Sequence, residues 1–225
     1  MRRDTQHALL VLLGAALLRI AADDTYLRYV RPSHRWLLLA AGAVIVVLAV
    51  VGLVRDRAGP PAHEHGHTPW LLLAPVLVIA LVAPPALGAD AVSRAGAGNP
   101  VVQDADVFDP LPPGAPQLPV AEFVQRAVWD TGGSLHGREV VLTGFVVRRG
   151  AATELARMTI ACCAADARPH RVRLVGDVAD PAPDTWLQVR GVLQEGSATS
   201  VTGHVPALTV AEATVVPAPP DPYEY

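Results

Sequence analysis

The chain has 225 residues, 51% hydrophobic and only 17% charged, with 21 Pro, 18 Gly and two Cys. A charged share below the usual ~25%, with a mean hydropathy of +0.32, puts part of the chain in lipid rather than water. Two cysteines exclude a disulfide framework and a Cys-only zinc site, and a net charge of −3 argues against general affinity for nucleic acid.

All 18 basic residues are Arg, and the charge is uneven. Residues 1–99 carry nine Arg against six acids, whereas residues 100–225 carry nine Arg against fifteen. An apolar, basic first part and an acidic second part predict two physically different domains.

Residues 1–89 read as a membrane domain with three transmembrane helices, at about 7–23, 35–54 and 70–88. The first is the shortest. Ala8–Leu18 is apolar but Arg19 follows, and the helix extends to Ala22 if that Arg snorkels to a headgroup. Its alternatives are an in-plane segment or a cleaved signal segment, since Met1-Arg2-Arg3 precedes it. Trp36–Val54 and Trp70–Ala89 are nineteen and twenty residues without a charge, and each opens on the residue favoured at a lipid interface. Pro84-Pro85 marks the end of the third helix. With the N-terminus inside, Arg counts on the two sides balance at four each. The Arg2-Arg3 pair then tips the reading toward an extracytoplasmic C-terminal domain.

Between the second and third spans lie His63, His65 and His67 around Glu64. Alternating imidazoles suit a borderline metal such as zinc; the competing reading is a polar loop with incidental His residues. Residues 90–117 are rich in Pro, Gly and Ala and read as a partly stiff linker. Leu118–Asp130 has apolar residues at helical spacing up to the stop at Gly132-Gly133, which predicts one short amphipathic helix.

Five strand-like segments follow: 138–149, 156–163, 170–175, 185–193 and 207–216. Their spacing predicts a small five-stranded OB-like β-barrel over residues 118–216, with a Pro-rich tail at 217–225. Gly144 and Gly191, inside strands, mark bends or bulges. The overall class is thus α plus all-β. The acidic balance removes the oligonucleotide role such barrels often have.

One constellation carries chemistry. Cys162, Cys163, Asp166 and His170 fall within nine residues. Alternation places Met158, Ile160 and Cys162 on one side of their strand and Arg157, Thr159 and Cys163 on the other. If Cys162 faces inward, His170, Val172 and Leu174 face inward beside it, and the connection supplies Cys163 and Asp166. Thiolates, an imidazole and a carboxylate suit zinc or another thiophilic ion. The competing reading makes Cys162 a small buried hydrophobe and Cys163 an idle thiol.

The stretches MTIACCAADARPHRVRL, DTWLQVRGVL and GFVVRRG, the His-bearing loop and the closing Pro222-Tyr223-Glu224-Tyr225 resemble the YcgQ-like family of bacterial membrane proteins of unknown function. The resemblance implies a multi-pass protein of the bacterial cell membrane that partners a larger multi-pass permease subunit. It implies no catalytic residues.

Three readings of function follow. The first is an accessory permease subunit whose extracytoplasmic β domain binds a thiophilic metal. The second is a structural or assembly membrane protein whose barrel binds a partner protein without metal. The third, an enzyme, ranks last, because Cys-x-x-Cys, Gly-x-Ser-x-Gly and phosphate-loop patterns are missing.

Overall fold

The computed structural model describes residues 3–58, 84–96, 98–99 and 108–225. The tract of His63, His65 and His67 and residues 70–83 of the expected third span lie outside these residues. The chain forms two compact units, Met1–Ala86 and Leu87–Tyr225.

In the first unit, α1 (Arg3–Ala22) and α2 (Arg35–Ala58) pack side by side. They meet through small residues: a Cβ on Gly14 would lie 2.9 Å from the Gly42 carbonyl, and one on Gly42 would lie 3.0 Å from the Gly14 carbonyl. Such close approach is the usual means by which apolar helices associate in lipid. The turn between them contains short 3-10 helices at Thr25–Arg28 and Pro32–His34, and the Asp23 carboxylate accepts the Thr25 amide at 3.1 Å.

Among the described residues, one helical stretch is long and apolar enough to cross a membrane: Pro32–Asp56, 25 residues at mean hydropathy 3.1. It leaves Trp36 and Leu48 76% and 63% exposed, outward-facing apolar surface of the kind lipid covers. The expectation of several full spans is therefore met by one helix here. Gln6–Ala22 is apolar but shorter. Between His7 and Arg19 only Ala8–Leu18 is free of polar side chains, and at ~1.5 Å rise per residue this reaches little more than half of a ~30 Å hydrocarbon core.

The second unit is mixed α and β, with a seven-stranded sheet. In chain order it runs α3 (Ala89–Arg94), β1 (Gln117–Leu118), α4 (Val120–Trp129), β2 (Glu139–Arg149), β3 (Ala152–Thr159), β4 (Arg168–Val175), β5 (Trp186–Gln194), β6 (Ala207–Val215) and β7 (Tyr223–Glu224). β2 pairs antiparallel with both β3 and β5, β5 with β6, β6 in parallel with β4, and β4 antiparallel with β3. These ladders return to the strand from which they start. The two-residue strands β1 and β7 add parallel pairings to β2 and β3.

Val140, Leu142 and Val146 of β2 alternate into a core shared with Leu155, Val172, Val189 and Leu208, and Phe123 and Val124 of α4 pack into it. A bulge falls at Arg190/Gly191, where a Gly191 side chain would run into the Thr209 carbonyl.

The segment read as a linker is partly built into this unit. Val92 is fully buried, Leu111 joins the core, and the Asn99 side chain donates to the carbonyls of Arg171 and His204 at 2.9 and 3.0 Å. The Pro-rich tail also returns to the sheet as β7. Its Glu224 carboxylate accepts the Val120 and Ala121 amides at 2.8 and 2.9 Å and so caps α4.

Candidate metal centre

β3 and β4 are antiparallel neighbours, so the residues between them must reverse the chain. The ladder ends at Thr159, and the Ile160 amide donates instead to the Glu224 carbonyl at 3.1 Å. From there one carboxylate organises the turn. Asp166 Oδ1 accepts the Ala161 amide at 2.8 Å, and Oδ2 accepts those of Cys162 and Cys163 at 2.9 and 3.3 Å. Asp166 itself closes a 3-10 turn, Ala164–Asp166, by donating its amide to the Cys163 carbonyl at 3.0 Å. Three amides drawn onto one acid bend the chain just where alternation would continue a strand.

That bend brings the thiols together. Cys162 Sγ and Cys163 Sγ are 3.6 Å apart, and the Cys162 thiol donates to Asp166 Oδ2 at 2.8 Å. One donor atom from each of Cys162, Cys163 and Asp166 lies within 4.8 Å of the others. With Zn–S bonds of ~2.3 Å, two thiolates on a tetrahedral ion stand roughly 3.8 Å apart, close to the spacing already present. Both cysteines are free thiols; Cys162 is exposed and Cys163 partly so.

The protons follow this geometry. Donation from Cys162, reinforced by the backbone amides, lowers the Asp166 carboxyl to about 2. The same carboxylate, and next the Cys163 thiol, push Cys162 up to about 12. Cys162 is thus held as a thiol at neutral pH. A cation bound there takes the place of that proton, so uptake releases protons and strengthens as pH rises.

The structure places the predicted residues differently from simple alternation. Cys162 lies at the surface, not inward, because β3 stops at Thr159. The register pairs His170 with Arg157, and Met158 with Pro169. His170 therefore shares its face with Leu155, Arg157 and Thr159, not with Met158 and Ile160. Its ring is buried, with Nε2 3.2 Å from Thr159 Oγ1, and Nδ1 has no hydrogen-bond partner among the described residues. Burial, then the charge of Arg168, depresses its pKa to about 4. Among the described residues the converging donors are Cys162, Cys163 and Asp166, and His170 is not one of them.

The supporting residue that sequence reasoning missed is Glu224. Its carbonyl anchors the entrance to the Cys turn while its carboxylate caps α4. Burial raises the Glu224 carboxyl, and the two amides and Arg157 oppose that rise. Arg157 in turn donates to the Asp221 carbonyl at 2.9 Å and lies over the Trp186 ring, 4.7 Å from its centroid. The only trace of this arrangement in the sequence is an acid between two Tyr at the chain end, too short to read as a strand.

Residues 124–225 match the family model described as the DUF1980 C-terminal domain, an uncharacterised family. The matched stretch runs from within α4 to the end of the chain and contains the whole Cys turn. No curated protein matches the chain.

Proposed function

We propose that this chain is a membrane-anchored accessory subunit of a permease, whose soluble domain binds a thiophilic metal ion such as zinc through Cys162, Cys163 and Asp166. One observation carries the reading: two thiols and a carboxylate converge within 4.8 Å on a turn built by that same carboxylate. Amide bonds to Asp166 also supply the outer-shell support that orients metal ligands.

The returning ladders, with β6 parallel to β4, favour a closed five-stranded OB-like barrel. The Gly14–Gly42 contact packs α1 on the membrane-length α2 and favours an anchor in a bacterial cell membrane, and the charge-free run Trp70–Ala89 favours a second crossing and so a multi-pass chain. The Arg2-Arg3 pair favours an extracytoplasmic β domain. The two long helices among the described residues do not by themselves make a transport path of the usual repeat-built kind, which favours a larger multi-pass partner of the sort the YcgQ-like resemblance implies. We read the domain as a binding module, not an enzyme.

The experiment is calorimetric titration of zinc into the detergent-purified full chain under reducing conditions above pH 7. The reading expects one ion per chain, with tight binding abolished by either Cys162→Ser or Cys163→Ser. Inert thiols in a folded chain would favour the assembly role, in which the domain holds a partner protein and no metal.

A further inference from the structure

The donor set has a property that decides how the ion would be handled. The converging groups supply two sulfurs and one carboxylate, which is three ligands for an ion that takes at least four. Structural zinc sites close the fourth position with a fourth protein ligand, whereas reactive sites keep it for an incoming group. Here the described residues bring no fourth His, Cys, Asp or Glu into the cluster. The nearest imidazole in sequence, His170, is buried and turned to Thr159. The side of the cluster away from the backbone is open to solvent, since Cys162 is exposed and Cys163 partly so.

Two further features fit an ion that arrives and leaves. Asp166 is held by four hydrogen bonds from its own turn, so the fold of the turn sets its position. The two Sγ atoms stand 3.6 Å apart in the same turn, close to the span of two thiolates on one ion. The turn is thereby built by the chain's own hydrogen bonds.

Resting on the metal-binding reading above, we infer that the Cys162–Cys163–Asp166 turn is an exchange site: it holds its ion by three ligands and leaves one coordination position to an imidazole or thiolate donated by another molecule. Such a partner takes or delivers the ion by ligand substitution at the open position. No redox step is involved; the incoming donor forms a bond to the metal, a bound water leaves, and the chain's ligands then detach one at a time.

Cobalt(II), with its ligand-sensitive visible spectrum, serves as the probe. The full chain in detergent, under reducing conditions, is loaded with one equivalent of cobalt and titrated with free imidazole, then separately with a monothiol. The exchange site predicts sulfur-to-cobalt charge-transfer bands on loading and a saturable shift of the visible bands with one added imidazole per cobalt. The monothiol should add intensity to the charge-transfer bands. In Cys162→Ser, which removes tight binding, the charge-transfer bands should not form at one equivalent of cobalt. A loaded spectrum that is indifferent to both additives means that the chain closes the site itself, and it overturns the exchange inference while leaving metal binding intact. Failure to take up cobalt at all overturns both.

Discussion

Replacing Asp166 with Asn should make Cys162 much more reactive. In the native turn the thiol donates to the Asp166 carboxylate at 2.8 Å, and this bond is the main cause of a pKa of about 12. Asparagine keeps one oxygen for the backbone amides but removes the charge that holds the proton. The thiol should then fall toward its free value of ~8.5. At pH 8 the thiolate fraction would rise from ~0.01% to ~25%, a gain of roughly 2,500-fold. Nucleophilicity falls with pKa at a Brønsted slope of ~0.4–0.5, which removes roughly 40-fold and leaves a net gain of roughly 60-fold. The assay is the rate of iodoacetamide alkylation of Cys162, resolved from Cys163 by peptide mass spectrometry, with and without Asp166→Asn. A rate that is unchanged or slower in the Asn variant would refute the proposed hold of Asp166 on the thiol.

Four other outcomes are expected. Asp166→Asn should also weaken zinc binding by roughly 10–100-fold, as loss of groups that hold or orient metal ligands typically does, measured by competition against a chromogenic chelator. His170, held neutral by burial with its pKa lowered to about 4, makes stability fall as pH drops through its unfolded value of ~6.5 toward 4. In that window the unfolded chain binds the extra proton, so the loss amounts to about 3 kcal/mol at most; a His170→Leu variant should flatten this part of the pH–stability curve in urea unfolding. Glu224→Ala should cost about 1–3 kcal/mol by leaving the Val120 and Ala121 amides without acceptors, and hydrogen exchange should quicken first at α4 and Ile160. Gly144→Val should cost more than 1 kcal/mol, since a Cβ there would lie 2.5 Å from the Ala156 carbonyl and force β2 away from β3; unchanged thermal unfolding would contradict the register.

The parts of the fold that were legible are those in which local pattern and burial agree. The β-branched run Glu139–Arg149 and the alternating run Trp186–Gln194 are strands close to their expected bounds, and Phe123 and Val124 turn the apolar face of α4 into the core. The Gly191 bulge was readable because a glycine inside an alternating run has few other uses. What misled was context that alternation does not carry. The pattern of Met158, Ile160 and Cys162 continues past Thr159, but Asp166 captures three amides and ends the strand. The face of His170 depends on cross-strand register, and a shift of one residue reverses it. Composition marked residues 90–117 as linker, although Val92, Asn99 and Leu111 are buried, because Pro and Gly content reports backbone stiffness and not packing. A two-residue strand such as β7 has no period to detect. Residue type and close spacing singled out Cys162, Cys163, Asp166 and His170; the first three meet in space, and His170, added by alternation, does not join them.

The central claim is that one ion sits on both thiols of the Cys turn. X-ray absorption at the zinc edge of the zinc-loaded full chain tests it most directly, because sulfur and lighter ligands are separated by distance and scattering strength. The account predicts two sulfurs at ~2.3 Å and the balance of the shell as oxygen or nitrogen at ~2.0–2.2 Å. A shell of nitrogen and oxygen without sulfur in the native chain would contradict it.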